Sequence, residues 1–238
     1  MYAKKIALVT GNFQGLGKAL SDSLTKLGYE QPQVIRSKDY DLKQASAADR
    51  LIKDTIDKYG RLDLLINNVG NYVNQHISSY PHNAWREMFA SNVDASFYLA
   101  QAALPYLRQV KDSNSSSLNH EEGNTKTNDK PINGRIINIG YAGIEKFSPS
   151  VNTVAYQAAK TALLVLTKGL AKAEVENRVL VNMLSPGYLE NTVIDEFMPD
   201  MPLERFGTLA EACKCVHFIL DNDYLTGENI SLAGGWGL

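Results

Sequence analysis

Apolar residues alternate along the chain between short unbroken runs and longer stretches in which they return every three or four positions. The first pattern suits buried strands and the second the inner face of helices. On that reading residues 5–10, 33–36, 62–66, 134–139, 179–184 and 229–232 are strands, and residues 16–27, 45–59, 82–109, 153–175 and 208–220 are helices. Strand and helix alternate throughout, so the pattern predicts an α/β fold with a doubly wound parallel sheet and helices on both of its faces. Right-handed crossovers in such a sheet place ligands outside the carboxyl ends of the strands.

One stretch breaks the pattern. From Lys111 to Lys130 the chain is almost wholly polar and aperiodic, which predicts a mobile surface insertion over 111–133. His120 within it has no second ligand at metal spacing and reads as a solvated histidine, so no metal site is expected. The chain has 238 residues, 44% of them apolar, enough to bury one sizeable core as a single domain over 1–238. A net charge of −2 supplies no global positive field for nucleic acid or an anionic membrane, leaving small molecules and copies of itself as partners. Cys213 and Cys215, two apart on a helix, diverge too far for a disulfide or a metal pair and read as packing residues. No cleavable leader precedes the first strand and no apolar run reaches a spanning length, so a soluble, cytoplasmic protein is expected.

Candidate chemistry begins at the first strand. Lys5-Ile-Ala-Leu-Val-Thr10 runs into Gly11-Asn12-Phe13-Gln14-Gly15-Leu16-Gly17 and then into a helical pattern, the order strand, glycine turn, helix that marks a dinucleotide site. Gly11 permits the tight turn, Gly15 lets backbone approach a pyrophosphate, and Gly17 lets helix pack on strand. The phosphates would meet the helix N-terminus, where free N–H groups and the dipole favour anions. Farther along, Tyr156 and Lys160 stand four apart in a helical run, so their polar heads share a face. An ammonium beside a phenol favours the phenolate, and a lowered Tyr156 pKa is expected.

These motifs resemble the short-chain dehydrogenase/reductase family, including members such as 3-oxoacyl carrier-protein reductases and pteridine reductases. The resemblance runs through Thr10-Gly11-x-x-x-Gly15-x-Gly17, Asn67-Asn68-Val69-Gly70, Asn92, Tyr156-x-x-x-Lys160 and Pro186-Gly187, in the family's order and over nearly the whole chain. It implies a single-domain Rossmann fold and an NAD(P)-dependent enzyme. On the family pattern Thr10 to Gly17, Asp41, Leu42, Asn68, Val69, Gly70, Tyr156, Lys160, Pro186, Gly187, Leu189 and Thr192 bind the cofactor. Leu189 would meet the nicotinamide carboxamide through its backbone, with Thr192 or Asn191 adding a side-chain bond. Tyr156 would be the general acid, Lys160 would hold the nicotinamide ribose, and Asn92 would anchor a water linking Lys160 to solvent. In Gln33-Val-Ile-Arg36-Ser-Lys38 two bases precede any acid, which favours NADP(H) over NAD(H), with Arg36 at the ribose phosphate. Between Gly28 and Leu62 the chain is about half as long as the family's, implying a more open adenosine end.

At the fourth catalytic position the chain departs from the family. It reads Ile136-Ile-Asn-Ile-Gly140-Tyr141, with Tyr141 where relatives place the serine that bonds the substrate carbonyl. Three readings follow: Tyr141, or a hydroxyl such as Ser148 or Ser150, replaces the serine in a ketone or aldehyde reductase; the substrate carries a C=N bond, as for pteridine reductases; or the chain is a catalytically silent NADP-binding sensor or assembly subunit. By the resemblance, Tyr188, Phe197, Met198 and Met201 lie in the segment that covers the substrate, which implies a lid over 190–207 closed by Leu203 to Phe206. Trp85, Met88 and Phe89 read as core or subunit contacts. By resemblance the long helices and the tail at Trp236 would associate copies into a homotetramer, or else a dimer.

Overall fold

Residues 4–31, 38–109, 131–147, 149–192 and 202–236 of the chain are described in a computed structural model. Among the described residues five parallel strands form one sheet: β1 Ala7–Val9, β2 Leu64–Asn67, β3 Arg135–Ile139, β4 Leu180–Pro186 and β5 Asn229–Leu232, side by side in chain order. Register pairs Val9 with Ile66, Asn67 with Asn138 and Leu184 with Ile139, so the carboxyl ends of β1, β2 and β3 open onto one edge. Successive strand residues point to opposite layers, and both layers are apolar here. Leu8, Leu65, Ile136 and Val181 pack with α2 (Ala45–Tyr59) and α4 (Ala95–Leu107) through Leu51, Ile52, Leu99 and Ala103. Val9, Ile66, Ile137 and Leu184 pack on the other face with α1 (Gly15–Lys26) and α6 (Leu209–Leu220) through Leu20, Leu24, Ala212 and Val216. The doubly wound Rossmann-type arrangement expected from the alternation is therefore the observed one.

On its free side β1 meets Glu30 through one parallel bridge at Ile6: the Ala7 N–H donates to the Glu30 carbonyl (3.0 Å) and the Glu30 N–H to that of Lys5 (2.8 Å). The strand expected over 33–36 and the insertion expected over 111–133 fall mainly outside the described residues.

The helix expected over 82–109 is not continuous. It comprises α3 (His82–Phe89), a π-helical turn Ala90–Asp94, and α4. Polar side chains at the break reach for helix carbonyls: Ser91 Oγ donates to Glu87 O (2.8 Å), Asn92 Nδ2 to Met88 O (3.0 Å) and Ser96 Oγ to Asn92 O (3.2 Å). Such side-chain bonds compete with the regular ladder, and a π turn is a common place for function. α5 (Val154–Glu174) is fixed against the sheet by Asn138 Nδ2, which donates to Thr167 Oγ1 (2.8 Å), and against α4 by a two-pronged Arg108–Glu174 pair (2.6 and 2.8 Å). No helix among the described residues is long and apolar enough to cross a membrane.

Candidate active site

The glycine turn is shaped as its residues dictate. Gly11 and Gly15 hold φ of 67° and 53°, the left-handed region, and a Cβ on Gly17 would overlap the Gly11 carbonyl and sit 2.6 Å from Asn68 Nδ2. Thr10 Oγ1 accepts from the N–H groups of Asn68 (3.0 Å) and Val69 (3.1 Å), while Asn68 Nδ2 donates back to Thr10 O (3.0 Å). This stitching closes the end of β1 onto the end of β2. Helix α1 starts at Gly15 with no side-chain cap from Gln14 and no acid in its first turn, so its leading N–H groups face outward for an anion.

Above the turn lies a cavity of about 800 Å³. Gly11, Phe13, Gln14, Gly15, Leu16, Gly17, Asp41, Leu42, Asn68, Val69 and Gly70 line it. Thr10 and Asn12 are buried beneath it and shape the turn. Asn191 crosses from the far wall, its Nδ2 lying 2.9 Å from where a Gly15 Cβ would stand. Tyr40, Lys43 and Glu87 were not anticipated there; Lys43 pairs with Glu87 at 2.9 Å, and no motif marks either residue. Arg36 and Ser148 lie outside the described residues, as do Phe197, Met198 and Met201 of the expected lid. Leu189 and Gly207, on either side of that segment, form a parallel bridge. The Leu189 N–H donates to Thr192 Oγ1 (3.1 Å), so this backbone donor is engaged within its own turn. Pro186 ends β4, and the Gly187 N–H donates to Leu232 O (2.9 Å).

At the edge where β2 and β3 end, Lys160 is buried and donates to Ile139 O (2.7 Å), one residue past the last β2–β3 pair. Burial lowers its pKa from 10.5 to about 8. Asn92 is fully buried in the π turn, its Nδ2 donating to Asn71 O and Met88 O (3.0 Å each). Its Oδ1 has no protein partner among the described residues. A Cβ on Gly70 would overlap that oxygen and stand 3.4 Å from Lys160 Nζ, so Gly70 is where Asn92 and Lys160 converge.

Tyr156 stands on α5 one turn before Lys160, with Lys160 Nζ 5.7 Å from its ring centroid. Tyr72 and Tyr141 pack edge-on against it at 5.1 and 5.7 Å. The expectation that Lys160 lowers the Tyr156 pKa is corrected here. Burial raises it, and the neighbouring phenols Tyr141 and Tyr72 raise it further. The same burial that lowers the Lys160 pKa disfavours the phenolate, and desolvation outweighs the expected attraction. Tyr156 is therefore held protonated.

Tyr141 occupies the place marked for it after β3. Its ring meets Trp236 of the C-terminal tail at 5.8 Å, and Trp236 meets Tyr188 at 5.4 Å, forming an aromatic wall beside Tyr156. The Tyr141 hydroxyl accepts from Gln157 Nε2 at 3.2 Å. Tyr72, Gln157 and the intrachain role of Trp236 escaped the sequence reading. Only Gln157, adjoining Tyr156, carried any signal, and adjacency alone is weak.

The family model described as short chain dehydrogenase matches residues 30–201. The chain is 25% identical over 276 residues to a D-beta-hydroxybutyrate dehydrogenase of Rhizobium meliloti (strain 1021), covering 98% of each. It is 24% identical over 267 residues to an acetoacetyl-CoA reductase of Acinetobacter sp. (strain RA3849), covering 99% of this chain and 98% of that one. A solved gluconate 5-dehydrogenase from Burkholderia cenocepacia J2315, in complex with NADP and tartrate, has the same fold, with a TM-score of 0.81 over 97% of this chain and 94% of the other at 22% identity. The chain belongs to the short-chain dehydrogenase family and is an oxidoreductase of it.

Proposed function

We propose that the chain is an NADP(H)-dependent reductase of ketones or aldehydes, with Tyr156 as general acid and Tyr141 in the role of the family's serine. The observation that carries this reading is the convergence at Gly70 of Lys160 Nζ and Asn92 Oδ1, buried and without a protein partner among the described residues, beside a phenol that burial keeps protonated. The glycine turn and the open start of α1 suit a dinucleotide diphosphate, and the cavity above them is large enough for a nucleotide. When bound, a reduced nicotinamide dinucleotide supplies the hydride. Tyr156 gives its proton to the carbonyl oxygen as that oxygen becomes basic, and an alkoxide is a strong enough base to take it from a phenol of raised pKa. Lys160 and Asn92 then relay a proton from solvent back to the Tyr156 phenolate, and Tyr141 donates a hydrogen bond to the substrate oxygen.

Two bases at Arg36 and Lys38 support NADP(H), as does the NADP bound in the similar gluconate 5-dehydrogenase structure. NADPH should bind at least about tenfold tighter than NADH, the value of one charge-assisted bond to the ribose phosphate. Equal dissociation constants in a fluorescence titration would remove that cofactor assignment. NADPH oxidation against a ketone panel including acetoacetyl-CoA tests the activity. The wall of Tyr141, Tyr188 and Trp236 favours one second reading, reduction of a C=N bond in a flat heterocycle stacked on those rings. Turnover of a dihydropterin with none of the ketones would select it. Phe97 on α4 and Val165 on α5 are exposed apolar side chains, which supports a homotetramer built through those helices, or else a dimer. A monomer by light scattering would contradict both assemblies.

A further inference from the structure

Gln157 follows the general acid on α5 and belongs to none of the motifs. Its carboxamide has one accepting end and one donating end, and its surroundings decide which faces where. The Ser150 backbone N–H, which can only donate, bonds Gln157 Oε1 at 2.9 Å. The amino end therefore faces Tyr141, and because it cannot accept, it donates to the phenol oxygen at 3.2 Å. The Tyr141 proton is left for another acceptor.

A small cavity of about 200 Å³ adjoins Tyr141 and Gln157, lined mainly by apolar groups including Ile144, Phe147 and Val154. Thr161, the other polar side chain on its wall, is turned to the Gln157 carbonyl (2.8 Å). Among the described residues no acceptor is bonded to the Tyr141 proton. The ring also meets Tyr156 and Trp236.

We propose that Gln157 is a positioning residue that makes Tyr141 an obligate hydrogen-bond donor to the substrate oxygen, completing the catalytic set in place of a serine. The inference rests on the carbonyl-reductase reading. The substitution Gln157→Glu reverses the polarity: a carboxylate still accepts from the Ser150 N–H but now also accepts the Tyr141 proton. Gln157→Met keeps length and helix propensity while removing both bonds.

With a ketone that the wild type reduces, Y141F and Q157E should each lower kcat about 100-fold, the loss of one donor to a developing oxyanion. The KM for NADPH should stay unchanged, since neither residue lines the nucleotide cavity. The Y141F/Q157E double variant should be no slower than Y141F, and Q157M should lose less than about tenfold because the proton remains free. Multiplicative losses in the double variant, wild-type kcat in Q157E, or a Q157M loss equal to that of Q157E would overturn the proposal. Wild-type kcat in Y141F would overturn it as well. If the wild type reduces no ketone, the carbonyl reading fails, and the polarity is judged separately by fluorine NMR on 3-fluorotyrosine-labelled protein. The resonance missing from Y141F should then titrate at higher pH in Q157E than in wild type, and no rise would overturn the assignment of Gln157 as donor.

Discussion

Replacing Lys160 with methionine isolates the energetic consequence of burying a cation beside Tyr156. Lys160 is 4% exposed, and its pKa falls from 10.5 to about 8 through burial alone. At 1.36 kcal/mol per pH unit, charging it in the folded state costs about 3 kcal/mol relative to the unfolded chain. Between about pH 8 and 10.5 the unfolded chain binds more protons than the folded one, so stability rises with pH through that window and is flat below it. Lys160→Met removes this dependence and also loses the bond to Ile139 O, worth roughly 1.5–3 kcal/mol if the lysine is charged. At pH 7 the two changes nearly offset, and the variant should lie within about 2 kcal/mol of wild type. At pH 10.5 the wild type should have gained about 3 kcal/mol on the variant. Urea denaturation of both proteins from pH 7 to 10.5, without nucleotide, measures the difference. A difference constant with pH would refute the burial argument.

Two further perturbations probe other parts of the site. Gly17→Ala forces a Cβ against the Gly11 carbonyl and should cost roughly 1–3 kcal/mol while abolishing measurable NADPH binding by fluorescence. Asn92→Ala should destabilise by about 1–3 kcal/mol, because the Asn71 and Met88 carbonyls lose their amide partner. It should also lower kcat roughly tenfold or more with NADPH affinity unchanged. Unaltered kcat in a folded Asn92→Ala protein would remove Asn92 from the relay.

The layered sheet was legible because its strands are buried on both faces, so Ile6 to Val9 and Leu64 to Ile66 read as unbroken apolar runs. The glycine turn was legible because Gly11, Gly15 and Gly17 meet backbone constraints that few other residues satisfy. The break at Ala90–Asp94 was not, since Ser91, Asn92 and Ser96 bond helix carbonyls without disturbing the apolar spacing around them. Residue spacing placed Tyr156 and Lys160 on one face but said nothing of desolvation, and desolvation sets both titrations. The tertiary partners of Tyr141 come from two separate segments, Tyr156 and Gln157 on α5 and Trp236 in the C-terminal tail, and only folding brings them to it.

The most direct measurement is NADPH oxidation by Tyr156→Phe, using a ketone the wild type reduces. Turnover should fall roughly 100-fold or more, the usual share of a general acid, while the dissociation constant for NADPH stays at the wild-type value. Wild-type turnover in that variant would contradict the assignment of Tyr156 as the proton donor.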